Sequence, residues 1–371
     1  MHDKMENFIK SAAGKTLAFL FPPAQTDFNP TSVHRILVVR QHDQLGDMIC
    51  VVPLLRTLKE SFPGAHITLV ASPVNYAIMN ANPYADRVIN YNKKQLRSSP
   101  TKALGFLEEL RLGGYDLAVV PATVSLSLTS DLIAALSGAK YRIGPGSLSG
   151  KDNATGSVYN RKVTLDWSDA QHRHQALRNI DILKPLKLRQ HDPGDEALQC
   201  TLGLTDAERH TGTERVKAMK GENPLIIGLH PGAGKEGNRW PVDRFVHLAQ
   251  WLITEHNAAI VVTSGPMDDQ VLKQFSTLAK FPFHTVERTP IREVAAILNA
   301  LDLVVSNDTG IMHIAGGLRP PLVSLFGPTD PNQWAPKGHK NRYLAAPVGN
   351  ISSITECSVR TAITDLLQPQ P

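Results

Sequence analysis

Short β-branched runs followed by helical patterns recur along the whole chain, and this alternation constrains its fold more than any other feature. "RILVVR" (35–40), "HITLVA" (66–71), residues 87–91 and "DLAVV" (116–120) read as strands in the first half. In the second half, strands fall near 225–230, 258–263, 283–287, 302–306 and 322–326. Helical spacing fills the intervals near 47–61, 73–80, 101–112 and 127–137, then near 242–256, 268–279, 291–299 and 310–317. Strand–helix–strand alternation builds parallel sheets with helices on both faces. At 371 residues the chain exceeds one ordinary core and suits two such domains. We place an N-terminal extension at 1–33, a first doubly wound Rossmann-like domain at 34–200, a linker with a short helix at 201–223, and a second Rossmann-like domain at 224–371. The expected α/β architecture has the two domains facing a central cleft at their C-terminal strand edges, where open α/β sheets bind ligands.

Composition narrows the class. Apolar residues make up 42% and charged residues 20%, values of a globular protein and not of a disordered one. Cys50, Cys200 and Cys357 are far apart and form no C-x-x-C, so free thiols in a reducing, cytoplasmic compartment are expected. The start of the sequence has no convincing cleavage site, and no apolar run approaches the roughly 18 residues of a membrane span. The first 200 residues carry 23 Lys or Arg against 18 Asp or Glu, while the remainder carries 16 of each. This excess suits an anionic partner of the first half or is diffuse surface charge without a partner. Without a basic run interleaved with aromatics, a nucleic-acid partner is not expected.

The segment "LHPGAGKEGNRWP" (229–241) contains Gly232, Gly234 and Gly237 at the spacing G-x-G-x-x-G. A dinucleotide fingerprint needs those glycines to open a helix, and an acidic residue about 20 positions on, at the tip of the next strand. The apolar helical pattern starts only after Pro241, and "AAIVVTSG" ends in Thr263 and Ser264. A Walker loop fails as well, since Leu229 holds the first glycine position and Glu236 follows Lys235. What survives is either a plain flexible loop or a glycine-rich loop that approaches an anion, with Lys235 and Arg239 beside it.

Two further stretches carry chemistry. In "LVVSNDTGIMHIAGG" a strand end is followed by Asp308, Thr309 and Gly310 and then by a small-residue helix containing His313. A helix start at a strand's C-terminal end offers free amides to a phosphate; alternatively Asp308 or Thr309 only caps the helix, and His313 only packs in the core. In "VVRQHDQLGDMICVVPLL" the loop Arg40, Gln41, His42, Asp43 and Gln44 leads to Asp47 at a helix start. Asp47 is either an N-cap or a carboxylate aimed into the cleft and able to take a proton.

The segments "QLGDMICVVPLLRTLKESFPGAHITLVASP", "HPGAG…NRWP" and "SNDTGIMHIAGG…PLVSLFGPTDPNQWAP", together and in this order, resemble glycosyltransferase family 9, the ADP-heptose:lipopolysaccharide heptosyltransferases. The resemblance spans roughly residues 34 to 345 and implies a GT-B fold, with the acceptor held by the N-terminal domain and the nucleotide sugar by the C-terminal one. It implies Asp47 as general base in an inverting transfer that uses no metal and no cofactor beyond the nucleotide-sugar co-substrate. It further implies a donor site built from Gly232, Lys235, Asn238, Arg239, Asp308, Thr309, Gly310, Met312 and His313. Two positions depart from the family pattern. A lysine commonly stands two residues before the Trp-Pro pair, where Asn238 stands here, so that Lys235 or Arg239 supplies the charge. In "SGPMDDQ" Met267 takes the place of a ribose-gripping acid, leaving Asp268 or Asp269 as substitutes. Readings that keep the fold but change the function are a nucleotide-sugar-binding protein without transfer activity and a member using another nucleotide sugar.

An anionic glycolipid acceptor suits the basic first half. Arg40, His42, His174 and Arg178 are the acceptor candidates, the last two from "QHRHQALRNIDIL", whose alternative is a solvated helix face. A helix from Phe8 to Phe21 would gather Phe8, Ala12, Leu17 and Phe21 on one side, either for peripheral contact with the inner face of the cytoplasmic membrane or for core packing.

Overall fold

The computed structural model describes residue 12 and residues 14–22, 27–188, 198–318 and 320–368. Its contacts divide the chain into two compact units, Met1–Gly194 and Asp195–Pro371.

In the first unit a helix over residues 14–20 (α1) precedes β1 (Arg35–Arg40), α2 (Leu45–Ile49), α3 (Val52–Ser61), β2 (His66–Ala71), α4 (Pro73–Met79) and β3 (Arg87–Asn90). Then come α5 (Lys93–Ser98), α6 (Pro100–Leu112), β4 (Leu117–Val119), α7 (Leu128–Leu136), β5 (Tyr141–Leu148), β6 (Lys151–Asp152), β7 (Arg161–Leu165) and α8 (Gln175–Ile180). The sheet order is β3-β2-β1-β4-β5-β6, with β7 also paired to β5. Every pairing is parallel except the short antiparallel β5–β6 hairpin.

The second unit runs α9 (Asp206–Lys220), β8 (Leu225–His230), α10 (Val242–His256), β9 (Ala258–Thr263), α11 (Asp269–Leu278), β10 (His284–Val286) and α12 (Ile291–Ala300). It continues through β11 (Leu303–Asn307), α13 (Gly310–Gly316), β12 (Leu322–Phe326), α14 (Pro331–Trp334), β13 (Asn341–Ala345) and α15 (Glu356–Leu367). Its parallel sheet has the order β10-β9-β8-β11-β12-β13, the doubly wound arrangement in which the first strand is central and growth reverses beside it. Both sheets are covered on both faces, so their strands are continuous apolar runs; from Ile36 to Arg40 every residue of β1 is buried.

Aspartates just ahead of the strands set the register. Asp116 Oδ2 accepts from the amides of His34 (2.8 Å) and Arg35 (2.9 Å), tying β4 to β1. Asp302 Oδ2 accepts from the Ile226 amide at 2.8 Å and ties β11 to β8 in the same way. Asp86 Oδ2 accepts from the Ile67 amide at 2.7 Å, tying β3 to β2. Lys59 and Lys220 neutralise Asp86 and Asp302.

Two expectations need correction. The helix expected near 47–61 is two helices, because Pro53 has no N–H to continue the ladder and instead sits in the first turn of α3, behind Val52. The segment expected as a linker, 201–223, contains the fifteen-residue α9 and packs on the second unit. Gly212 makes that packing possible: a Cβ there would stand 2.3 Å from the Ala296 carbonyl oxygen of α12. The Phe8 end of the expected N-terminal helix lies outside the described residues. Leu17 packs on the first core, and Arg142 donates to the Phe21 carbonyl while Arg111 lies over the Phe21 ring, leaving Phe19 and Leu20 exposed.

α9 begins with a capping box, Thr205 and Glu208, and the Glu208 carboxylate also takes Arg292 Nε at 2.7 Å. Arg292 holds the Glu208 pKa down at about 2 against an ordinary 4.5, with burial opposing and Thr205 assisting. A carboxylate depressed in the fold contributes stability that is present above its unfolded pKa and is lost as pH falls through the folded one. Thermal melts should therefore show wild-type stability declining from about pH 4.5 toward 2, a decline that Glu208→Gln flattens at a cost of about 1 kcal/mol at neutral pH. Equal acid slopes in the two proteins would refute the assignment.

Candidate functional site

Asp47 occupies the first turn of α2, just past the C-terminal end of β1. It is not the N-cap; Gln44 stands there and makes no side-chain cap bond. Arg40 Nη2 donates to Asp47 Oδ1 at 2.8 Å, with the two side chains 4% and 15% exposed. Among the described residues no partner engages Asp47 Oδ2. Burial pulls the Arg40 pKa down while Asp47 pulls it up, and Arg40 Nη1 donates to the Pro121 carbonyl at 3.3 Å. Arg40 thus points inward and positions Asp47; it is too buried to meet an acceptor as expected. His42 is held by its carbonyl, which accepts from Asn75 Nδ2 at 2.6 Å. Burial, and then the Arg40 charge, push its imidazole below the ordinary value, so it is neutral at pH 7. Nearby, Gln41 Nε2 donates to Ser127 Oγ at 3.0 Å, linking the loop after β1 to the loop after β4.

His174 is buried and Arg178 half-buried. His174 is 4% exposed and caps α8, its Nδ1 accepting from the Ala176 amide at 3.2 Å. Arg178 lies over the Trp167 ring and donates to the carbonyls of Arg173 and Gln171. Both serve the packing of α8, whose Asn179 Nδ2 reaches the Cys50 carbonyl at 3.1 Å and so steadies the break between α2 and α3.

In the second unit the glycine loop follows β8 and the D-T-G segment follows β11, its neighbour at the strand-order reversal. Asn307 joins them: its Nδ2 donates to the Pro231 carbonyl (2.9 Å) and its Oδ1 accepts from the Trp240 amide (3.1 Å). The sequence gives no signal for this role, since an asparagine beside Asp308 reads as another capping residue. Asn238 is 7% exposed and donates from Nδ2 to Asp308 Oδ2 at 3.1 Å. Thr329, in the G-P-T-D-P segment, also hydrogen bonds to Asp308. Burial raises the Asp308 pKa, against which Thr329 and the positive charge of Lys235 pull it back. Lys235 is therefore the cation near Asp308, whereas Arg239 Nε is engaged with the Ala233 carbonyl at 2.8 Å.

Thr309, not Asp308, caps α13, its hydroxyl accepting from the Met312 amide at 3.5 Å; Gly310 opens the helix. Met312 is fully buried and His313 is 5% exposed with its ring edge-on to Trp334, so these two side chains back the site from the core. Gly232 has a specific reason: a Cβ there would lie 2.2 Å from the Asp268 carboxylate, which accepts from the Gly265 amide at 2.8 Å. Asp268 is 6% exposed, while Met267 is 74% exposed and places its methyl beside Gly234. Asp269 faces away to Arg288. Among the described residues no group of three His, Cys, Asp or Glu side chains is arranged to hold a metal, and no helix is long and apolar enough to cross a membrane.

Comparison with known proteins agrees with this architecture. Lipooligosaccharide heptosyltransferase 2 of Haemophilus influenzae is 33% identical over 146 residues, which is 38% of this chain and 42% of that protein. Lipopolysaccharide heptosyltransferase 2 of Escherichia coli K12 is 25% identical over 315 residues, covering 82% of this chain and 86% of the relative. The solved structure of E. coli ADP-heptose LPS heptosyltransferase II superimposes with a TM-score of 0.74 at 24% identity, over 90% of this chain and 98% of that one. The fold is accordingly of the GT-B type, two Rossmann-like parallel-sheet units. The family model described as glycosyltransferase family 9 (heptosyltransferase) matches residues 104–362, well over half of the sequence, and the chain belongs to that family.

Proposed function

We propose that this protein transfers heptose from ADP-heptose to a sugar hydroxyl of a lipopolysaccharide-core acceptor, with inversion at the anomeric carbon and Asp47 as general base. The observation that carries the reading is the Asp47 carboxylate, fixed through Oδ1 by a buried arginine, with Oδ2 left unengaged among the described residues. The acceptor hydroxyl gives its proton to Asp47 as its oxygen forms a bond to the anomeric carbon. The bond from that carbon to the diphosphate oxygen breaks, and ADP leaves from the opposite face. Negative charge grows on the diphosphate, and groups that meet it there lower the barrier. We assign this work to Lys235 and to the amides around Thr309 and Gly310, with no metal. Asp308, held by neutral donors, is assigned to the sugar hydroxyls.

The relatives named above are heptosyltransferases acting on lipopolysaccharide or lipooligosaccharide. A lipid-anchored acceptor places the enzyme at the inner face of the cytoplasmic membrane. Phe19 and Leu20, 84% and 59% exposed on α1, supply apolar side chains for that contact.

Three outcomes are expected. Asp47→Asn keeps an oxygen for Arg40 but cannot take a proton; turnover should fall about 100-fold or more while calorimetry finds ADP-heptose affinity unchanged. Full turnover in this variant would remove Asp47 from the mechanism. Lys235→Ala should weaken ADP-heptose binding by about tenfold, the scale of one lost charge-assisted contact, and Asn238→Lys should restore part of it; no loss in the first variant would show that Lys235 does not meet the diphosphate. Co-sedimentation with anionic vesicles should drop in the double variant Phe19→Asp, Leu20→Asp, and equal sedimentation would exclude α1 as the contact.

A further inference from the structure

Of the four expected acceptor residues, Arg40 and His174 are buried and Arg178 lies over Trp167, while His42 stands half-buried in the loop after β1. An open cleft of about 290 Å³ lies in the first unit between the loop after β4 and the β5–β6 hairpin, lined among others by Ser125, Leu126, Leu128, Ser149, Lys151 and Asn153. It lies next to the strand-order reversal of the first sheet, on the far side of β4 from β1: one wall follows β4 and the other belongs to the end of β5 and its hairpin. Open α/β sheets take their ligands outside the C-terminal ends of the strands, and both walls follow such ends. The cleft is also joined to the Asp47 loop: Ser127, which caps α7, receives Gln41 Nε2 at 3.0 Å.

The walls are fixed before anything binds. Asp131, buried in α7, accepts from the hydroxyls of Thr155 and Tyr159 and from Asn153 Nδ2, clamping the base of the hairpin. At the tip, Ser149 and Gly150 have φ of 49° and 76°, the pair of left-handed residues that a tight two-residue hairpin turn requires. Gly144 admits the Tyr159 ring against β5, since a Cβ there would lie 2.1 Å from it.

The lining mixes apolar carbons, from Leu126 and Leu128, with hydroxyls and one charge of each sign, Lys151 and Asp152. Such a surface suits a sugar ring, which offers C–H faces and hydroxyl edges. We propose that this cleft seats a sugar of the acceptor adjoining the one that is glycosylated; the assignment rests on the heptosyl-transfer reading.

The test is direct binding of deacylated lipopolysaccharide inner-core oligosaccharide to the full chain, by calorimetry, in wild type, Ser125→Trp and Lys151→Ala. Ser125 is exposed, so tryptophan there fills the cleft without entering the core. Ser125→Trp should raise the oligosaccharide Kd at least tenfold and Lys151→Ala several-fold, with ADP-heptose Kd and melting temperature unchanged. Oligosaccharide affinity equal in all three proteins, or no saturable binding by wild type, overturns the proposal. Failure of wild type to bind ADP-heptose would count against the transfer reading, and the oligosaccharide titrations would still decide the cleft.

Discussion

Both halves of this protein depend on one topological constraint, the reversal of strand order beside the first strand of each sheet. In each unit the chain adds strands on one side of the first strand and then returns to add the next on the other side. Right-handed crossovers then put the intervening helices on opposite faces, so the loops after the two neighbouring strands diverge and leave a gap. Asp47 and Gln41 follow β1, and Ser127 follows β4; the glycine loop follows β8, and Asp308 follows β11. The carboxylates of Asp116 and Asp302 pin the opposite ends of those same strand pairs. A strand slipped by one residue there would carry its loop to a different height and present its other face.

The sequence made the strands legible and the polar interior much less so. β1, β2, β8, β9 and β12 fall on the residues expected, because a strand buried on both faces must be an unbroken apolar run. β5, "YRIGPGSL", was missed because its glycines and proline read as a loop; Gly144 is there to admit the Tyr159 ring. The helix expected inside the linker is longer than its pattern suggests for a related reason: α9 meets α12 through Gly212, and only Gly212 and Val216 of its fifteen residues are buried. At the site, the D-T-G segment could be read from its place after a strand, but the direction of a side chain could not. Arg40 and His174 look like surface groups in sequence, yet one turns inward to Asp47 and the other folds back onto its own helix.

Asp47 of the first unit and Asp308 of the second sit in different surroundings. Asp47 has a charged partner within 2.8 Å, whereas Asp308 has the amide of Asn238 and the hydroxyl of Thr329, with the Lys235 charge acting on it. Burial accordingly raises the Asp308 pKa. Asparagine donates one hydrogen bond and brings no charge, so Asp308 keeps acceptor capacity for a ligand hydroxyl. On the proposed reading the cation for the diphosphate then has to come from elsewhere, and Lys235, three residues earlier on an exposed stretch of the glycine loop, is free of a competing ion pair among the described residues. On that reading Asn238 and Lys235 act together: the neutral residue orients Asp308 by a hydrogen bond, and the charge stands on a side chain with reach and rotational freedom.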